Sequence, residues 1–208
     1  TLSRFFYFSL ALSAWKQVTS PTGEVLSRWA LRVNPSSGNL HPTEAYAVLG
    51  PDQGFGPGSA VYHYAPDEHL LERRVSLAEP LGPAGGAGFF VGLASIHWRE
   101  AWKYGERAFR YCQHDVGHAL GALALSAACL GWDFQVVPEV DPQQLGALLG
   151  CSDQTGPEAA VDAAVDTDTL PRAQHRRGGR RRRPEPRRNR ALLRLGPQWG
   201  LGHLGGQA

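Results

Sequence analysis

The longest helical pattern in the chain runs over residues 105–130 and limits what the rest can form. Its apolar residues recur every three or four positions: Phe109, Cys112, Val116, Leu120, Leu123, Ala127 and Leu130. That spacing places them on one face of an α-helix. Residues 119–129 are almost all apolar or small, so we expect this part to be buried at the centre of the fold. Gly131 follows as a plausible stop.

Further helices are predicted on both sides of this segment. Residues 1–16 and 98–104 fit helical patterns. A last helix is expected to begin after Asp141, which can cap its N-terminus, with Pro142 in its first turn and Gly150 after its end.

Strands are indicated by short segments rich in β-branched and aromatic residues. Residues 44–49 and 60–65 predict two neighbouring strands, and residues 134–137 predict a third. Residues 89–96 fit either a strand or the start of a helix. The pattern predicts an α+β fold, with a small, mostly antiparallel sheet and helices around one buried central helix.

The formal net charge of +2 over 208 residues is the sum of two unlike parts. Residues 1–171 hold ten basic and 18 acidic side chains, whereas residues 172–208 hold 11 Arg and one Glu. We therefore predict a folded domain over residues 1–155 and a disordered, Arg- and Gly-rich tail over residues 156–208. The acidic domain argues against nucleic acid as its partner, except through the basic tail.

Cysteine usage and the first segment favour a cytoplasmic protein. Cys112, Cys129 and Cys151 are few and widely spaced, which indicates reduced thiols and no disulfide framework. The apolar run over residues 5–15 is too short to span a bilayer as a helix. It predicts an amphipathic helix packed on a core, with a signal peptide as the alternative. We expect no membrane partner.

Two polar stretches carry the candidate chemistry. Residues 32–44 read RVNPSSGNLHPTE, a turn in which Gly38 lets a flat ligand approach the main chain and Asn39 offers an amide donor and acceptor. Residues 98–111 contain Lys103 next to Tyr104, two groups that can share a proton and serve as acid or base. By local composition alone, both stretches also fit an ordinary loop and a solvated helix start.

In this order, these stretches and the Asp-x-Gly-His helix that begins at Asp115 resemble one family. The chain resembles the flavin-dependent nitroreductase superfamily in its SagB-type, azoline-forming dehydrogenase branch. In that branch a Pro-Ser-x-Gly turn and Leu-x-Pro-x-Glu precede a strand, and a Lys-Tyr-Gly-x-Arg run precedes the helix. The resemblance covers about residues 1–150.

The resemblance implies an FMN-dependent oxidoreductase that forms a cytoplasmic homodimer and transfers hydride between a substrate and the flavin. The substrate would be a peptide-derived azoline ring or an unidentified small molecule. Lys103 and Tyr104 would be catalytic. The cofactor-binding residues would be Arg32, Pro35, Ser36, Ser37, Gly38 and Asn39.

Departures from the family pattern leave a second interpretation open. The Arg-Arg-Ser-type element that grips the FMN phosphate is missing, so we expect the domain to lack its N-terminal start. We expect the basic tail to replace the family's closing strand. Arg28 and Arg32 are the residues that we expect to substitute in part for the missing phosphate-binding element. The alternative is a catalytically incomplete remnant that acts as a dimerisation or binding module.

Other kinds of site find less support in the sequence. His114 and His118 are four residues apart and could lie on one helix face, but no third ligand is evident, so we predict no metal site. A GxSxG elbow, a GxGxxG loop and a P-loop are all absent from the sequence.

Overall fold

A computed structural model describes residues 1–51, 54–78, 88–137, 140–151 and 191–197, the last segment by its backbone only. The helices are α1 (Leu2–Ser9), α2 (His97–Tyr104), α3 (Ala108–Cys129) and α4 (Pro142–Leu148). The strands are β1 (Leu12–Thr19), β2 (Val25–Arg32), β3 (Thr43–Leu49), β4 (Ala60–Ala65), β5 (Leu70–Ser76), β6 (Phe89–Ser95), β7 (Trp132–Val137) and β8 (Ala191–Pro197). Two short 3₁₀ turns, Ser37–Asn39 and Gly105–Arg107, follow β2 and α2.

The main sheet has the strand order β5-β4-β3-β6-β8-β7, and all its pairs are antiparallel. Strand β3 lies inside it and is buried along its whole length. Because side chains alternate along a strand, Ala45 and Ala47 face a core shared with α1 and α3, whereas Tyr46 and Val48 face a second core. The sheet is therefore covered on both sides, and the predicted α+β class is confirmed.

Helix α3 covers the first face of the sheet with one of its own faces. Val116, Ala119 and Leu123 are fully buried there, together with Phe5 of α1. The opposite face is open, since the side chain of Leu125 is 71% exposed. The expectation that residues 119–129 are buried at the centre of the fold is therefore wrong for the outward side of α3, because the sheet reaches only one of its faces.

The predicted helix over residues 1–16 is also wrong beyond Ser9. Helix α1 ends there with Phe5 and Phe6 buried, and the chain continues into the β1–β2 hairpin. The helical interpretation rested on a continuous apolar run, but β2 supplies a partner strand that the run alone did not reveal. The hairpin is exposed along most of both strands, and the Arg28 guanidinium lies 4.2 Å from the centroid of the Trp15 ring.

Most other predicted elements are present at nearly the predicted bounds. Strands β3 and β4 pair as neighbours, residues 89–96 form strand β6 rather than a helix start, and β7 follows α3. Asp141 caps α4, since its carboxylate accepts hydrogen bonds from the main-chain N–H groups of Gln143 and Gln144. Strand β5, which completes the β4–β5 hairpin, was missed because its sequence (LLERRVS) is largely polar and exposed.

Strand β8 corrects the prediction of a disordered tail over residues 156–208. Ala191–Pro197 lies between β6 and β7 and pairs with both, so this part of the tail belongs to the sheet. The short apolar segment Ala191-Leu192-Leu193 was masked by the Arg-rich composition around it. The Arg run itself lies outside the described residues. No helix in the described part of the chain has the length and apolar character needed to cross a membrane.

Candidate functional site

The turn between β2 and β3 is held by a buried carboxylate on α3. Asp115 is 1% exposed and accepts hydrogen bonds from the hydroxyls of Ser36 (2.6 Å) and Ser37 (2.9 Å). It also accepts a hydrogen bond of 2.9 Å from the Ser37 main-chain N–H. The two hydroxyls that we expected at a ligand therefore fix the turn. The residues that the turn presents outward are Pro35 and Gly38, both exposed.

The next residues of the turn are held in the same way. The amide of Asn39 donates to the carbonyl of Ala30 (2.9 Å), and its side-chain oxygen accepts from Nε2 of His41 (2.9 Å). The amide predicted to meet a heterocycle is therefore engaged within the protein. Burial and the charges of Arg32 and Arg99 together lower the pKa of His41 to about 4, so the ring is neutral. Its Nδ1 atom is buried and has no hydrogen-bond partner among the described residues.

Lys103 and Tyr104, at the end of α2, lie directly against Gly38. Nζ of Lys103 donates to the carbonyl of Gly38 at 3.4 Å. Gly38 has φ +61°, and a Cβ placed on it would lie 2.7 Å from Nζ of Lys103 and in collision with the Tyr104 hydroxyl. Only glycine fits this position without moving the pair. The structure thus brings together the two stretches that the sequence singled out separately.

Helix α2 is anchored by Arg99, one turn before Lys103. Its Nη1 atom donates to Oε1 of Glu44 (2.5 Å) and to the carbonyl of His41 (2.9 Å). Glu44 is buried on β3, and its second oxygen is 2.8 Å from Nε2 of His63. This arrangement ties α2 to the sheet and to the end of the Gly38 turn.

Arg32, predicted to bind the cofactor, lies at a small cavity that it shares with Asn34, Glu44 and Tyr64. Burial lowers the pKa of its guanidinium, while Glu44 opposes that effect. Its charge therefore lies with the Glu44 network rather than beside Lys103. Arg28, the other candidate for a phosphate, lies on the exposed hairpin against Trp15.

Two further titratable groups are buried between α2 and α3. Glu100 is fully buried, and neither of its carboxyl oxygens has a hydrogen-bond partner within the described part of the chain. Burial, with the charge of Asp115, raises its pKa to about 7 against the opposing charge of Lys103. Cys112 is buried as well, and burial raises the pKa of its thiol to about 12, so it is a poor nucleophile near neutral pH.

His114 and His118, the pair considered as metal ligands, both lie on α3. His114 is exposed and lies against the ring of Tyr111. His118 is 48% exposed, and its Nδ1 atom is 3.9 Å from Oδ1 of Asp115. No group of three or more potential metal ligands occurs among the residues that the structure describes.

Sequence reasoning missed the residues that hold this site. Asp115 falls on the apolar stripe of α3, between Cys112 and Ala119, and a charge on such a stripe signals a specific partner. Glu44 and His63 are polar residues within otherwise apolar strands, which is the same signal. Arg99 carries no comparable signal, because a basic residue on a short helix is common.

The fold of this chain recurs in solved structures. The microcin synthetase complex McbBCD of E. coli, with truncated pro-MccB17 bound, contains a chain that superposes with a TM-score of 0.58 at 16% identity; the match covers 96% of this chain and 63% of that one. A candidate nitroreductase of Anabaena variabilis gives 0.57 at 24% identity, over 72% of this chain and 31% of that one. A candidate nitroreductase of Ralstonia eutropha gives 0.58 at 15% identity, over 96% and 72%.

This chain has the nitroreductase fold. The predicted resemblance to nitroreductases and SagB-like proteins is thereby confirmed for its architecture. No protein-family model matches the chain.

Two curated proteins are similar to this chain in sequence. The trifolitoxin-processing protein TfxB of Rhizobium leguminosarum is 34% identical over 114 compared residues, in a match that covers 48% of this chain and 30% of that protein. A candidate nitroreductase of Methanocaldococcus jannaschii, MJ1384, is 31% identical over 110 compared residues, in a match that covers 47% of this chain and 52% of that protein. The matches thus span about half or less of these relatives.

Proposed function

We propose that this chain is an FMN-dependent oxidoreductase of the SagB-type branch, which transfers hydride between a substrate and the flavin. The observation that carries the proposal is the meeting of Lys103 and Tyr104 with Gly38. An ammonium group and a phenol beside an exposed, side-chain-free backbone form a place where a flat ligand and a proton-transfer pair can lie together. The fold and the sequence relatives support an oxidoreductase.

The residues of the turn fit a flavin through their main chain. Gly38 leaves the backbone accessible, and Lys103 supplies a cationic donor at the same point. The buried Nδ1 atom of His41 adds an acceptor without a partner in the described structure. We therefore assign Pro35, Gly38 and Lys103 to contact with FMN. Ser36, Ser37 and Asn39 would keep the turn in shape. When bound, FMN would supply the acceptor for the hydride that leaves the substrate.

The chain's own residues would handle the proton. Nζ of Lys103 and Oη of Tyr104 both lie beside Gly38, so the pair, once it has lost one proton, can take up the proton that leaves a substrate ring. Asp115 holds the turn against α3, and Arg99 holds α2 against β3, so both halves of the site stay in register. This rigidity matters because proton transfer requires hydrogen-bond distance in the reacting geometry.

A peptide-derived azoline ring is the substrate that we propose. TfxB is a processing protein of trifolitoxin, and the McbBCD complex holds truncated pro-MccB17. Both similarities favour a peptide-derived substrate over a free small molecule. We further propose that the chain acts in the cytoplasm as a homodimer, with the exposed side chain of Leu125 on the open face of α3 as part of the dimer contact. Leu125→Arg should lower the molar mass measured by light scattering if that face forms the dimer.

The decisive experiment is to purify the chain, reconstitute it with FMN and record its absorption spectrum. Lys103→Ala and Tyr104→Phe should keep the flavin bands and lose turnover of an azoline peptide. The matched controls are Lys16→Ala on β1 and Tyr7→Phe on α1, which are both exposed and have no described contact with Gly38. Full turnover in both site variants would refute the assigned roles.

The second candidate is a non-catalytic dimerisation or binding module. The internal hydrogen bonds of Ser36, Ser37 and Asn39 favour it, because they leave fewer polar groups for a ligand. A colourless protein that cannot be reconstituted with FMN would support this candidate and reject the first.

A further inference from the structure

Four side chains form a continuous line from the edge of the sheet to helix α2. Oε2 of Glu72, on β5, is 2.7 Å from Nδ1 of His63, and Nε2 of His63 is 2.8 Å from Oε2 of Glu44. The other oxygen of Glu44 accepts from Nη1 of Arg99 at 2.5 Å. The residues come from β5, β4, β3 and α2 in turn. Nothing in the proposed reaction uses His63 or Glu72.

His63 bridges two carboxylates, so it holds a proton on each ring nitrogen. Burial alone would lower its pKa, but the hydrogen bonds to Glu44 and Glu72 outweigh burial and raise the pKa above its usual value. Burial would likewise raise the pKa of Glu44, but the bond to His63 and the charges of Arg32 and Arg99 hold it below the usual value. The titratable and charged groups around the bridge are Glu44 and Tyr46 on β3, Glu72 and Arg74 on β5, Arg99 on α2 and Arg32 on β2.

The line ends on both halves of the candidate site. Arg99 and Lys103 are four residues apart on α2 and therefore lie on the same side of the helix. The same guanidinium nitrogen that binds Glu44 also donates to the carbonyl of His41. His41 in turn donates from Nε2 to the side chain of Asn39, next to Gly38. A shift of Glu44 would therefore move both α2 and the turn.

We propose that His63 is a positioning residue for the Lys103–Tyr104 pair and acts through Glu44 and Arg99. Doubly protonated, the ring donates to both carboxylates and holds Glu44 in the orientation that receives Arg99. When the proton on Nε2 is lost, that nitrogen becomes an acceptor facing Glu44, and the hydrogen bond between them is lost. Glu44 can then turn, and α2 moves relative to Gly38. The effect on catalysis rests on the proposed function, but the movement itself does not.

The test is a pH titration of the full chain, followed by NMR of the His63 ring and of the main-chain N–H groups of Gly38 and Lys103. In the native sequence the three signals should share one midpoint above pH 6.5, the usual value for histidine. In His63→Gln the step at Gly38 and Lys103 should disappear. The matched control is His69→Gln on the turn between β4 and β5. Both ring nitrogens of His69 are also hydrogen-bonded, to Ser3 and Tyr64, but neither meets a carboxylate.

Glu72→Gln is a milder variant, because Glu72 is half exposed and its loss should not prevent folding. It removes one carboxylate from the bridge, so the midpoints of His63, Gly38 and Lys103 should move together to lower pH. If the His63 midpoint moves while Gly38 and Lys103 keep theirs, the positioning role is wrong. The same conclusion follows if His63→Gln leaves the step intact.

Turnover gives an independent readout. If the proposed function is right, His63→Gln should lower kcat roughly tenfold and flatten its pH profile, because a displacement well under 1 Å already costs rate. His69→Gln should change neither. A native chain without flavin or turnover would reject the proposed function, and the NMR titration would still decide the role of His63.

Discussion

Gly38→Ala tests the geometry of the site with one methyl group. The substitution has two separable costs. Alanine at φ +61° should lose about 1 kcal/mol of stability, the usual penalty for a left-handed backbone. The new Cβ would also lie 2.7 Å from Nζ of Lys103 and would collide with the Tyr104 hydroxyl. Carbon contacts normally begin near 3.5 Å, so the lysine tip must retreat by about 0.8 Å or more.

The displaced atoms are the ends of flexible side chains, so their movement should add little to the loss of stability. Reactivity should suffer far more, because a displacement of about 1 Å can reduce turnover roughly a hundredfold. The matched control is Gly131→Ala after α3, where φ is +70° and nothing lies within 4 Å of the added Cβ. It incurs the backbone penalty alone.

The assays are urea unfolding and turnover of the FMN-reconstituted chain, measured on both variants. We expect free energies of unfolding that agree within about 0.5 kcal/mol and turnover rates that differ by about two orders of magnitude. Equal turnover in the two variants would refute the argument that Lys103 and Tyr104 act at Gly38. Near-native stability of Gly38→Ala with Gly131→Ala destabilised would refute the assigned backbone conformation.

Four further variants test the buried titratable groups. Asp115→Asn should lower the free energy of unfolding by about 2 kcal/mol in urea, since it weakens charge-assisted hydrogen bonds, whereas the exposed Asp133→Asn should stay within about 0.5 kcal/mol. Burial, with the charge of Asp115, raises the pKa of Glu100 to about 7, so the stability that protonated Glu100 gives the native state should fall as the pH rises from about 4.5 to 7. Glu100→Gln should remove this fall when unfolding curves at pH 5 and pH 8 are compared. The pKa of Glu44 is lowered, so the stability that its carboxylate contributes should be lost as the pH falls through its pKa in the folded protein. The pKa of His63 is raised, so the stability that its ring contributes should be lost as the pH rises through its pKa in the folded protein. Glu44→Gln and His63→Gln should flatten the acid and the alkaline side of a thermal-unfolding pH series, respectively, and unchanged curves would contradict the network.

The site was predictable from the sequence in its parts but not in its assembly. The turn around Gly38 and the Lys103–Tyr104 pair stood out by residue type. The sequence did not reveal which atoms of the turn face outward, because Asp115 lies 78 residues away from Ser37 in sequence. Once that carboxylate is buried beneath the turn, the serine hydroxyls have a nearer partner than any ligand.

The helices and inner strands were likewise predictable where local pattern and burial agree. Strand β3 and helix α3 have clear periods, and the structure has both. The hairpin β1–β2 and strand β8 were not predictable in this way, because each strand forms only by pairing with another strand. Strand β8 pairs with β6 and β7, which lie more than 50 residues earlier in the sequence.

The sequence by itself determined the α+β class, the cap at Asp141 and the residue types that carry the chemistry, since those depend on neighbours within a few positions. The tertiary structure decided which of these residues meet. Glu44 on β3 holds α2 through Arg99, and it can remain charged in that buried position because His63 binds it and the charges of Arg32 and Arg99 favour its ionised form. Such a pairing of buried charges follows from strand register and helix docking, and local sequence pattern contains neither.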